Sequence, residues 1–380
     1  MGLPCQATID LRALRANFAL ARELAGGRQV IAVVKADAYG HDAASVAKCL
    51  WEEGCRWLAV LTVPEGAALR EAGIAAELLV LAGARSQEEA RAAVSLDLTP
   101  VVHDPEGGLQ LESAAAAAGS RLRVHAEIDT GMHRMGVPSQ AALPFLQQLQ
   151  ASEQLVLEGV YTHLAQADEP DLQPSLDQLE RFRAVLREAR AIGIQPDVIH
   201  AANSAALMCG KPLSEALPEA TAVRPGLMLY GVRPAPHLEG ELLPVMTLRA
   251  SVLAVRDVAP GASVGYAASW SAPTAGARVA TLSVGYADGV PWATANRGQV
   301  WLAGACRPIV GRVSMDSIAV EIGDDCAVSV GDEAVLFGAL EAGPETPSLF
   351  SVEDAARAAG TLHYELLVRV GARVPRVIID

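Results

Sequence analysis

The chain has 380 residues, of which 51% are apolar and 19% charged, so it can bury a large core and is too apolar to be disordered. Its net charge of −14 argues against nucleic acid or an anionic membrane as a partner, since both select a basic face. No uncharged apolar stretch reaches the roughly 20 residues that span a bilayer. The N-terminus has neither the basic region nor the apolar core of a secretory signal, and together these features predict a cytoplasmic protein.

The cysteines are scattered and form no Cys-x-x-Cys pair, the spacing typical of a metal or redox site. We therefore expect reduced thiols and no metal. The six are Cys5, Cys49, Cys55, Cys209, Cys306 and Cys326.

Short apolar runs alternate with helix-like segments from about Thr8 to Tyr230. The runs predicted to be strands are Val30–Val34, Trp57–Leu61, Leu78–Leu81, Leu98–Val102, Leu122–Ile128, Leu157–Thr162, Val198–His200 and Val223–Tyr230. The segments with helical character include Pro64–Ala72, Ala114–Ala118 and Leu176–Ile192, and the glycines expected to end helices are Gly54, Gly73, Gly119 and Gly193. Eight strands, each followed by a helix, predict a (β/α)8 barrel of the TIM type over residues 8–234.

After about Leu243 the segments become shorter and richer in β-branched residues. The predicted strands are Val252–Val258, Val279–Val284, Val300–Leu302, Ile309–Val313, Ile318–Ile322 and Ala334–Phe337. They favour a mostly antiparallel β domain over residues 241–380, and the first few N-terminal residues are candidates to join it. One helix is expected at Val352–Ala359 and a last strand near Val374–Ile379, while Pro234 and Pro236 mark the linker.

Lys35 ends an apolar run and is one of only three lysines in the chain. A buried lysine can lose its proton and form a Schiff base or act as a base, whereas arginine can do neither. The alternative is that the preference for arginine is compositional and Lys35 merely ends a strand. In such a barrel the chemistry collects at the C-terminal ends of the strands, where Lys35 lies with Tyr39 and His41 behind it.

Two further strand ends carry a pattern typical of anion binding. Asn203-Ser204 opens a helix after the seventh strand, and Gly226 follows the eighth. The N–H groups of a helix start and a glycine turn favour a phosphate there, although Asn203-Ser204 taken alone is also explained as a plain helix N-cap. A phosphate site and a strand-end lysine at one barrel mouth suit pyridoxal phosphate.

Arg224 is a charged residue within an apolar strand and therefore requires a partner. Facing the pyridine nitrogen of the cofactor, it would donate a hydrogen bond without giving up a proton. The ring would then be a weaker electron sink, which suits simple proton exchange at Cα. His163 and Arg134 also have ordinary explanations, as a core or strand-end histidine and as a helix cap.

A series of motifs covering nearly the whole chain resembles the alanine racemase family. These motifs are Ala32–His41, Ile128–Gly136, Tyr161–Leu164, His200–Ala206, Arg224–Gly231, Ser263–Tyr266, Gly285–Gly289, Gly311–Asp316 and Arg373–Arg376. The resemblance implies a barrel plus β domain, head-to-tail homodimers, and active sites completed by the β domain of the partner. It also implies interconversion of L- and D-alanine on an external aldimine of pyridoxal phosphate, supplying D-alanine for peptidoglycan.

The resemblance also implies a role for each matching residue. Lys35 would be the Schiff-base lysine and the base for the D-enantiomer, Tyr266 of the other subunit would be the base for the L-enantiomer, and His200 would pair with Tyr266. The remaining cofactor-binding residues would be Tyr39, His163, Asn203, Ser204, Arg224, Gly226 and Leu227. The substrate-binding residues would be Arg134, Met315 and Tyr286, and the supporting residues would be His200, Glu127 and Asp316.

Three positions depart from the family pattern. Glu127 stands where many members have a carbamylated lysine, and its carboxylate would supply the anion that braces Arg134. Ala372 replaces a tyrosine and Trp292 an arginine found in other members, which favours a racemase of broader or different specificity, such as serine, as the alternative. A non-catalytic pyridoxal-phosphate-binding protein is a further alternative, but such proteins lack a β domain with Tyr266 and Met315.

Overall fold

A closed barrel of parallel strands and a separate β-rich unit make up the computed structural model, which describes residues 4–323, 327–340 and 349–380. The barrel unit contains Arg15–Ala38 and Ala43–Leu242. The other unit contains the described residues up to Leu14, Tyr39–Asp42 and the described residues from Leu243 onward. The domain bounds 8–234 and 241–380 remain a prediction, and Cys326 lies outside the described residues.

The helices and strands as far as residue 242 are β1 (Cys5–Asp10), α1 (Leu11–Ala25), β2 (Gln29–Val33), α2 (Lys35–Gly40), α3 (Ala43–Glu52), β3 (Trp57–Val60), α4 (Val63–Glu71), β4 (Glu77–Val80), α5 (Gln87–Ser95), β5 (Thr99–Val102), α6 (Pro105–Ala117), β6 (Leu122–Asp129), β7 (Val137–Pro138), α7 (Ala142–Ala151), β8 (Leu155–Tyr161), α8 (Gln173–Ala191), β9 (Val198–His200), α9 (Ser204–Cys209), α10 (Lys211–Ala216) and β10 (Ala222–Val223). Those that follow are β11 (Met246–Val258), β12 (Ala277–Leu282), β13 (Gln299–Leu302), β14 (Ala305–Val310), β15 (Ile318–Glu321), β16 (Glu333–Ala339), β17 (Leu349–Phe350), α11 (Val352–Ala359), α12 (His363–Arg369) and β18 (Arg376–Ile379).

Eight of the strands form the predicted barrel. Their order is β5-β4-β3-β2-β10-β9-β8-β6, every neighbouring pair is parallel, and pairing of β5 with β6 closes the ring. Strands β3 and β5 are buried along their whole length, as expected where helices cover one face and side chains fill the other. The predicted helix-ending glycines all have positive φ: 88° at Gly54, 80° at Gly73, 62° at Gly119 and 86° at Gly193.

The prediction of one continuous strand over Val223–Tyr230 was wrong. Strand β10 ends at Val223, and Leu227–Tyr230 is a 3₁₀ helix. Pro225 has no N–H to donate to a neighbouring strand, and Gly226 turns the backbone at φ −126° and ψ −85°. The Tyr230 hydroxyl then donates to the carbonyl of Val33, which ties this turn to the end of β2.

The second unit is built on a mostly antiparallel sheet, as predicted. Strands β16, β13, β14, β15, β12 and β11 follow one another in that order, and β11 also pairs with β16, so that they close on themselves. Strand β1 pairs antiparallel with β11 and parallel with β18. Strand β1 and helix α12 were not among the predicted elements.

Candidate active site

Lys35 stands two residues beyond the end of β2, at the start of an unusual turn. The next four residues, Ala36–Tyr39, all have φ between 52° and 55°, so helix α2 is left-handed. For non-glycine residues this costs about 1–2 kcal/mol each, and it persists only when neighbouring groups hold it. The Ala36 N–H donates to Glu65 Oε1 at 2.9 Å, and Asp37 Oδ1 accepts from the Ala43 N–H at 2.7 Å. These bonds fix the backbone that carries Lys35.

Glu65 was missed as a supporting residue, although the sequence carries a signal for it. Thr62 and Glu65 form a capping box at the start of α4, the Thr/x/x/Glu pattern that marks a helix N-terminus. Glu65 Oε2 accepts from the backbone N–H of Leu61 at 2.6 Å and of Thr62 at 3.2 Å. The capping pattern predicts the helix start but not the bond from Oε1 across to the turn after Lys35.

The surroundings of Lys35 favour its neutral amine. Burial lowers the pKa of Lys35, and the charges of Arg134 and then Arg224 lower it further, while Glu65 opposes them. A lysine whose pKa is lowered in this way can take up a proton or attack a carbonyl carbon.

Arg224 is 4% exposed and donates to two histidines. Its Nη1 lies 2.6 Å from Nδ1 of His200, and its Nη2 lies 3.1 Å from Nδ1 of His163. Burial lowers the pKa of Arg224, but a guanidinium starts so high that it remains a charged donor. Both histidines therefore accept at Nδ1 and carry their proton on Nε2.

The three histidines of this cluster are held neutral. Burial, followed by the Arg224 charge, lowers the pKa of His163 to about 3 and that of His200 well below its usual value. Burial likewise lowers the pKa of His125, whose Nδ1 lies 2.9 Å from His200 Nε2. Both ring nitrogens of His200 are thus engaged inside the barrel, so the expected hydrogen bond between His200 and Tyr266 is wrong. The Nε2–H of His163 has no partner among the described residues.

The start of α9 and the loop after β10 meet at Ser204. Asn203 is the N-cap of α9, and its side chain accepts from the Ala206 N–H at 3.0 Å, as a plain cap does. The Ser204 hydroxyl oxygen accepts from the N–H of Gly226 at 2.9 Å and of Met228 at 3.3 Å. Ser204 is thereby joined to the loop after β10, and Asn203 and Leu227 adjoin this corner of the barrel mouth in the sequence.

Glu127 is buried on β6, but its partners are not the expected ones. Its Oε2 accepts from the Tyr161 hydroxyl at 2.9 Å and lies 2.9 Å from His103 Nδ1. Arg134, exposed on the loop after β6, is not among the partners of Glu127 within the described residues. Gly136, with φ +91°, packs so tightly here that a Cβ would stand 2.8 Å from Glu127 Cγ. Bracing of Arg134 by Glu127 stays a prediction.

The β-rich unit contains the other candidate residues. Tyr266 is 70% exposed, Met315 52% and Tyr286 46%, so their side chains are available to a ligand or a second molecule. Tyr266 follows Gly265, which has φ +73°, and begins a short 3₁₀ helix. Among the described residues, the Met315 N–H has no hydrogen-bond acceptor. Trp292 is 56% exposed and lies under the guanidinium of Arg312 at 5.6 Å.

Arg373 organises the segment around Met315. Its guanidinium pairs with the buried carboxylate of Asp288 at 2.7 Å and with Asp316 at 2.8 Å, and it also donates to the Met315 carbonyl at 3.5 Å. These two carboxylates raise the pKa of Arg373. A Cβ on Gly285 would stand 2.3 Å from the Met315 carbonyl oxygen, so glycine is required there.

Tyr39 also belongs to the β-rich unit. Its ring centroid lies 6.5 Å from that of Tyr364, and burial raises its pKa. The hydroxyl therefore stays protonated.

Within the described residues, no group of His, Cys, Asp and Glu side chains has the arrangement of a metal site, and the five described cysteines form no disulfide with one another. No helix in the described ranges is long and apolar enough to cross a bilayer.

Comparison with known proteins shows the same architecture elsewhere. A family model described as the N-terminal domain of alanine racemase matches residues 9–234, and one described as its C-terminal domain matches residues 245–378. An alanine racemase from Geobacter sulfurreducens is 39% identical over 383 residues, covering 99% of this chain and 97% of that protein. The crystal structure of an alanine racemase from Streptomyces lavendulae superposes with a TM-score of 0.90 at 36% identity, covering 100% of this chain and 98% of that one.

A third relative was crystallised with a ligand. The alanine racemase from Bacillus anthracis with bound L-Ala-P superposes with a TM-score of 0.89 at 31% identity, covering 100% of this chain and 96% of that one. The fold and both family models place the protein in a class of isomerases, the amino-acid racemases that depend on pyridoxal phosphate. Within that class, the chain belongs to the alanine racemase family.

Proposed function

We propose that the protein interconverts L- and D-alanine with pyridoxal phosphate held at the barrel mouth. The observation that carries the proposal is Lys35, a strand-end lysine whose pKa is lowered by burial and by two arginines. Family membership supplies the substrate class, since the relatives in the comparison are alanine racemases that match almost the whole chain.

The residues of the barrel fit pyridoxal phosphate. Lys35 offers an amine, Arg224 a buried donor that keeps its proton, and the corner at Ser204 and Gly226, which Asn203 and Leu227 adjoin in the sequence, offers hydroxyl and N–H groups suited to a phosphate. The family resemblance adds Tyr39 as a phosphate contact. When bound, the cofactor supplies an electron sink that makes the Cα–H bond of an amino acid acidic.

Two bases on opposite faces of the substrate are required, because racemisation removes a proton from one side of Cα and returns one to the other. We assign Lys35 Nζ as the base for D-alanine. Tyr266 of the partner subunit is the base for L-alanine, which the exposure of Tyr266 in a single chain supports. His163, whose Nε2–H is uncommitted among the described residues, is the histidine able to donate to a tyrosine oxygen.

The substrate carboxylate would be held by Arg134 and the Met315 N–H, with Tyr286 lining the entrance. The charge of Arg134 reaches the barrel mouth, since it lowers the pKa of both Lys35 and His163. Asp316 supports Met315 through Arg373. Assembly into a homodimer follows from this division of the catalytic groups, and D-alanine for peptidoglycan is the cellular product that we propose.

Chiral analysis of product tests this function. The protein loaded with pyridoxal phosphate is incubated with pure L-alanine or pure D-alanine, and we expect both to reach an equal mixture of enantiomers. L-Serine in parallel tests the alternative specificity, since conversion of serine about tenfold faster than alanine would reassign the substrate. Failure to convert either amino acid would refute the proposal.

A further inference from the structure

Glu127 and His103 make a buried contact that the mechanism above does not use. Glu127 lies on β6 and His103 follows β5, and Nδ1 of His103 is 2.9 Å from Oε2 of Glu127. Both side chains are largely enclosed, with 11% of the His103 side chain and 7% of the Glu127 side chain exposed. The contact does not have the alignment of a hydrogen bond, and Nδ1 has no hydrogen-bond partner among the described residues.

The protonation of His103 follows from its other nitrogen. Nε2 lies 2.9 Å from the carbonyl oxygen of Leu81. A carbonyl oxygen only accepts, so Nε2 must carry a proton. If the ring held only that proton, the lone pair of Nδ1 would face the carboxylate of Glu127 across 2.9 Å in a buried site. A second proton must therefore lie between Nδ1 and Oε2, and with that proton on the imidazole the two groups form an ion pair.

The same carboxylate oxygen positions Tyr161. The Tyr161 hydroxyl donates to Glu127 Oε2 at 2.9 Å. The ring of Tyr161 stacks on His200, with centroids 4.7 Å apart and planes 16° apart, and the guanidinium of Arg224 lies 4.5 Å from the ring centroid. Tyr161 is thus the surface against which both Arg224 and His200 pack.

We propose that His103 is a positioning residue, held as a doubly protonated imidazole between the Leu81 carbonyl and Glu127, and that this ion pair fixes Tyr161 beneath Arg224 and His200. The ion pair of His103 and Glu127 has no net charge. Among these two residues, Tyr161, His200 and Arg224, the guanidinium of Arg224 is then the one charge that is not neutralised. The carboxylate of Glu127 is already paired with a cation before any substrate arrives. Glu127 then acts on the site through Tyr161 and not as an anion that braces Arg134.

The catalytic consequence rests on the proposed function, whereas the protonation of His103 does not. Loss of the proton donor at Nδ1 would leave the Glu127 carboxylate buried without a cation, and the anchor of Tyr161 would shift. Arg224 and His200 would then lose the flat surface that sets their orientation.

Nuclear magnetic resonance of the folded holoenzyme tests the protonation directly. Protein labelled with ¹⁵N in its histidine rings is measured at neutral pH, and the signals of His103 are identified by their loss in a His103→Asn variant. We expect both ring nitrogens of His103 to carry protons. In a Glu127→Gln variant the amide can donate to Nδ1, so the ring should keep only its Nε2 proton. A singly protonated His103 in the unaltered protein would overturn the proposal.

Two substitutions of His103 separate its two hydrogen-bonding directions. Asparagine places its amide nitrogen near the position of Nδ1 and keeps a donor toward Glu127, whereas glutamine reaches the Leu81 carbonyl and loses that donor. With folding verified by circular dichroism, we expect kcat to fall about tenfold or more in His103→Gln and to stay within about threefold in His103→Asn. Equal losses in the two variants would show a merely structural role and overturn the proposal.

The failure of this proposal can be told apart from the failure of the proposed function. An unaltered protein that does not racemise alanine refutes the proposed function, and the ring protonation of His103 still decides whether the ion pair exists. A protein that racemises alanine with a neutral His103 keeps its function and loses this proposal.

Discussion

Nη1 of Arg224 donates to Nδ1 of His200 across 2.6 Å. This contact determines which nitrogen carries the proton in a buried series of histidine side chains. Because His200 accepts at Nδ1, its proton lies on Nε2, which faces Nδ1 of His125 at 2.9 Å. The next nitrogen, Nε2 of His125, faces Glu158 at 3.6 Å. Each hydrogen bond in this series therefore has its donor on the side of Arg224 and its acceptor on the side of Glu158.

Replacing Arg224 by lysine should damage both stability and activity. An ammonium group is a point donor and cannot reach His200 and His163 together as the guanidinium fork does, so one buried imidazole nitrogen loses its partner. We expect the free energy of unfolding to fall by about 1–3 kcal/mol and racemisation to fall with it. Denaturant unfolding and alanine turnover measure the two effects. Arg91→Lys, on the exposed side of α5, is the matched control, and an Arg224→Lys protein as stable and active as that control would contradict the role of Arg224.

Acid should destabilise the barrel through its neutral histidines. The pKa of His163 falls to about 3 in the folded protein, whereas an unfolded histidine titrates near 6.5. Between these values the unfolded state binds more protons than the folded state, so stability is present above this window and is lost as pH falls through it. His163 alone contributes a slope of up to about 1.4 kcal/mol per pH unit.

The test compares unfolding free energies at several pH values for two variants. His163→Asn should lose less stability than the unaltered protein between pH about 6.5 and about 4, while His237→Asn, at an exposed position, should follow the unaltered protein. The same slope in the two variants would mean that His163 is protonated in the folded state.

Much of this architecture is predictable from local sequence patterns. The alternation of apolar runs with helical segments predicts the barrel because each strand is buried on both faces, and the helix-ending glycines, such as Gly54 and Gly193, report a local need for positive φ. The position of Lys35 at the barrel mouth is predictable because strand ends converge at one barrel face. These signals lie within a few residues of the feature that they predict.

The remaining features depend on contacts between distant segments. No local pattern shows that Glu65 reaches the turn after Lys35, or that Glu127 meets His103. The pairing of His200 also could not be predicted, because it depends on which ring nitrogen Arg224 and His125 occupy. Strand β10 ends early because Pro225 has no N–H to continue the hydrogen bonds between strands. This is a short-range signal, but the apolar residues around it led to the prediction of a longer strand.

Lys35→Ala should remove both the visible absorbance of the lysine-bound cofactor and racemisation. In the proposed function the amine is the group that attaches the cofactor, and alanine cannot replace it. Absorbance spectra before and after borohydride treatment measure attachment, and chiral analysis measures turnover. Lys48→Ala, at an exposed position on α3, should keep both. Retention of either property in Lys35→Ala would contradict the assignment of Lys35 as the residue that attaches the cofactor and acts as a base.

Mixed subunits test the sharing of active sites. Lys35→Ala and Tyr266→Phe subunits, each of low activity alone, are produced together in equal amounts. If each site takes Lys35 from one chain and Tyr266 from the other, a mixed dimer has one intact site, and the mixture should regain about a quarter of the unaltered activity. If a mixture shown to contain mixed dimers regains no activity, Lys35 and Tyr266 of each site come from the same chain.

The most direct measurement of the two-base account is exchange of the Cα hydrogen of alanine with solvent deuterium in a Tyr266→Phe variant. Each pure enantiomer is incubated in heavy water with the loaded enzyme, and early exchange is followed by mass spectrometry. Removing the tyrosine hydroxyl should slow exchange from L-alanine about 100-fold or more, while exchange from D-alanine, which depends on Lys35, persists. Equal slowing for the two enantiomers would contradict the assignment of one base to each face.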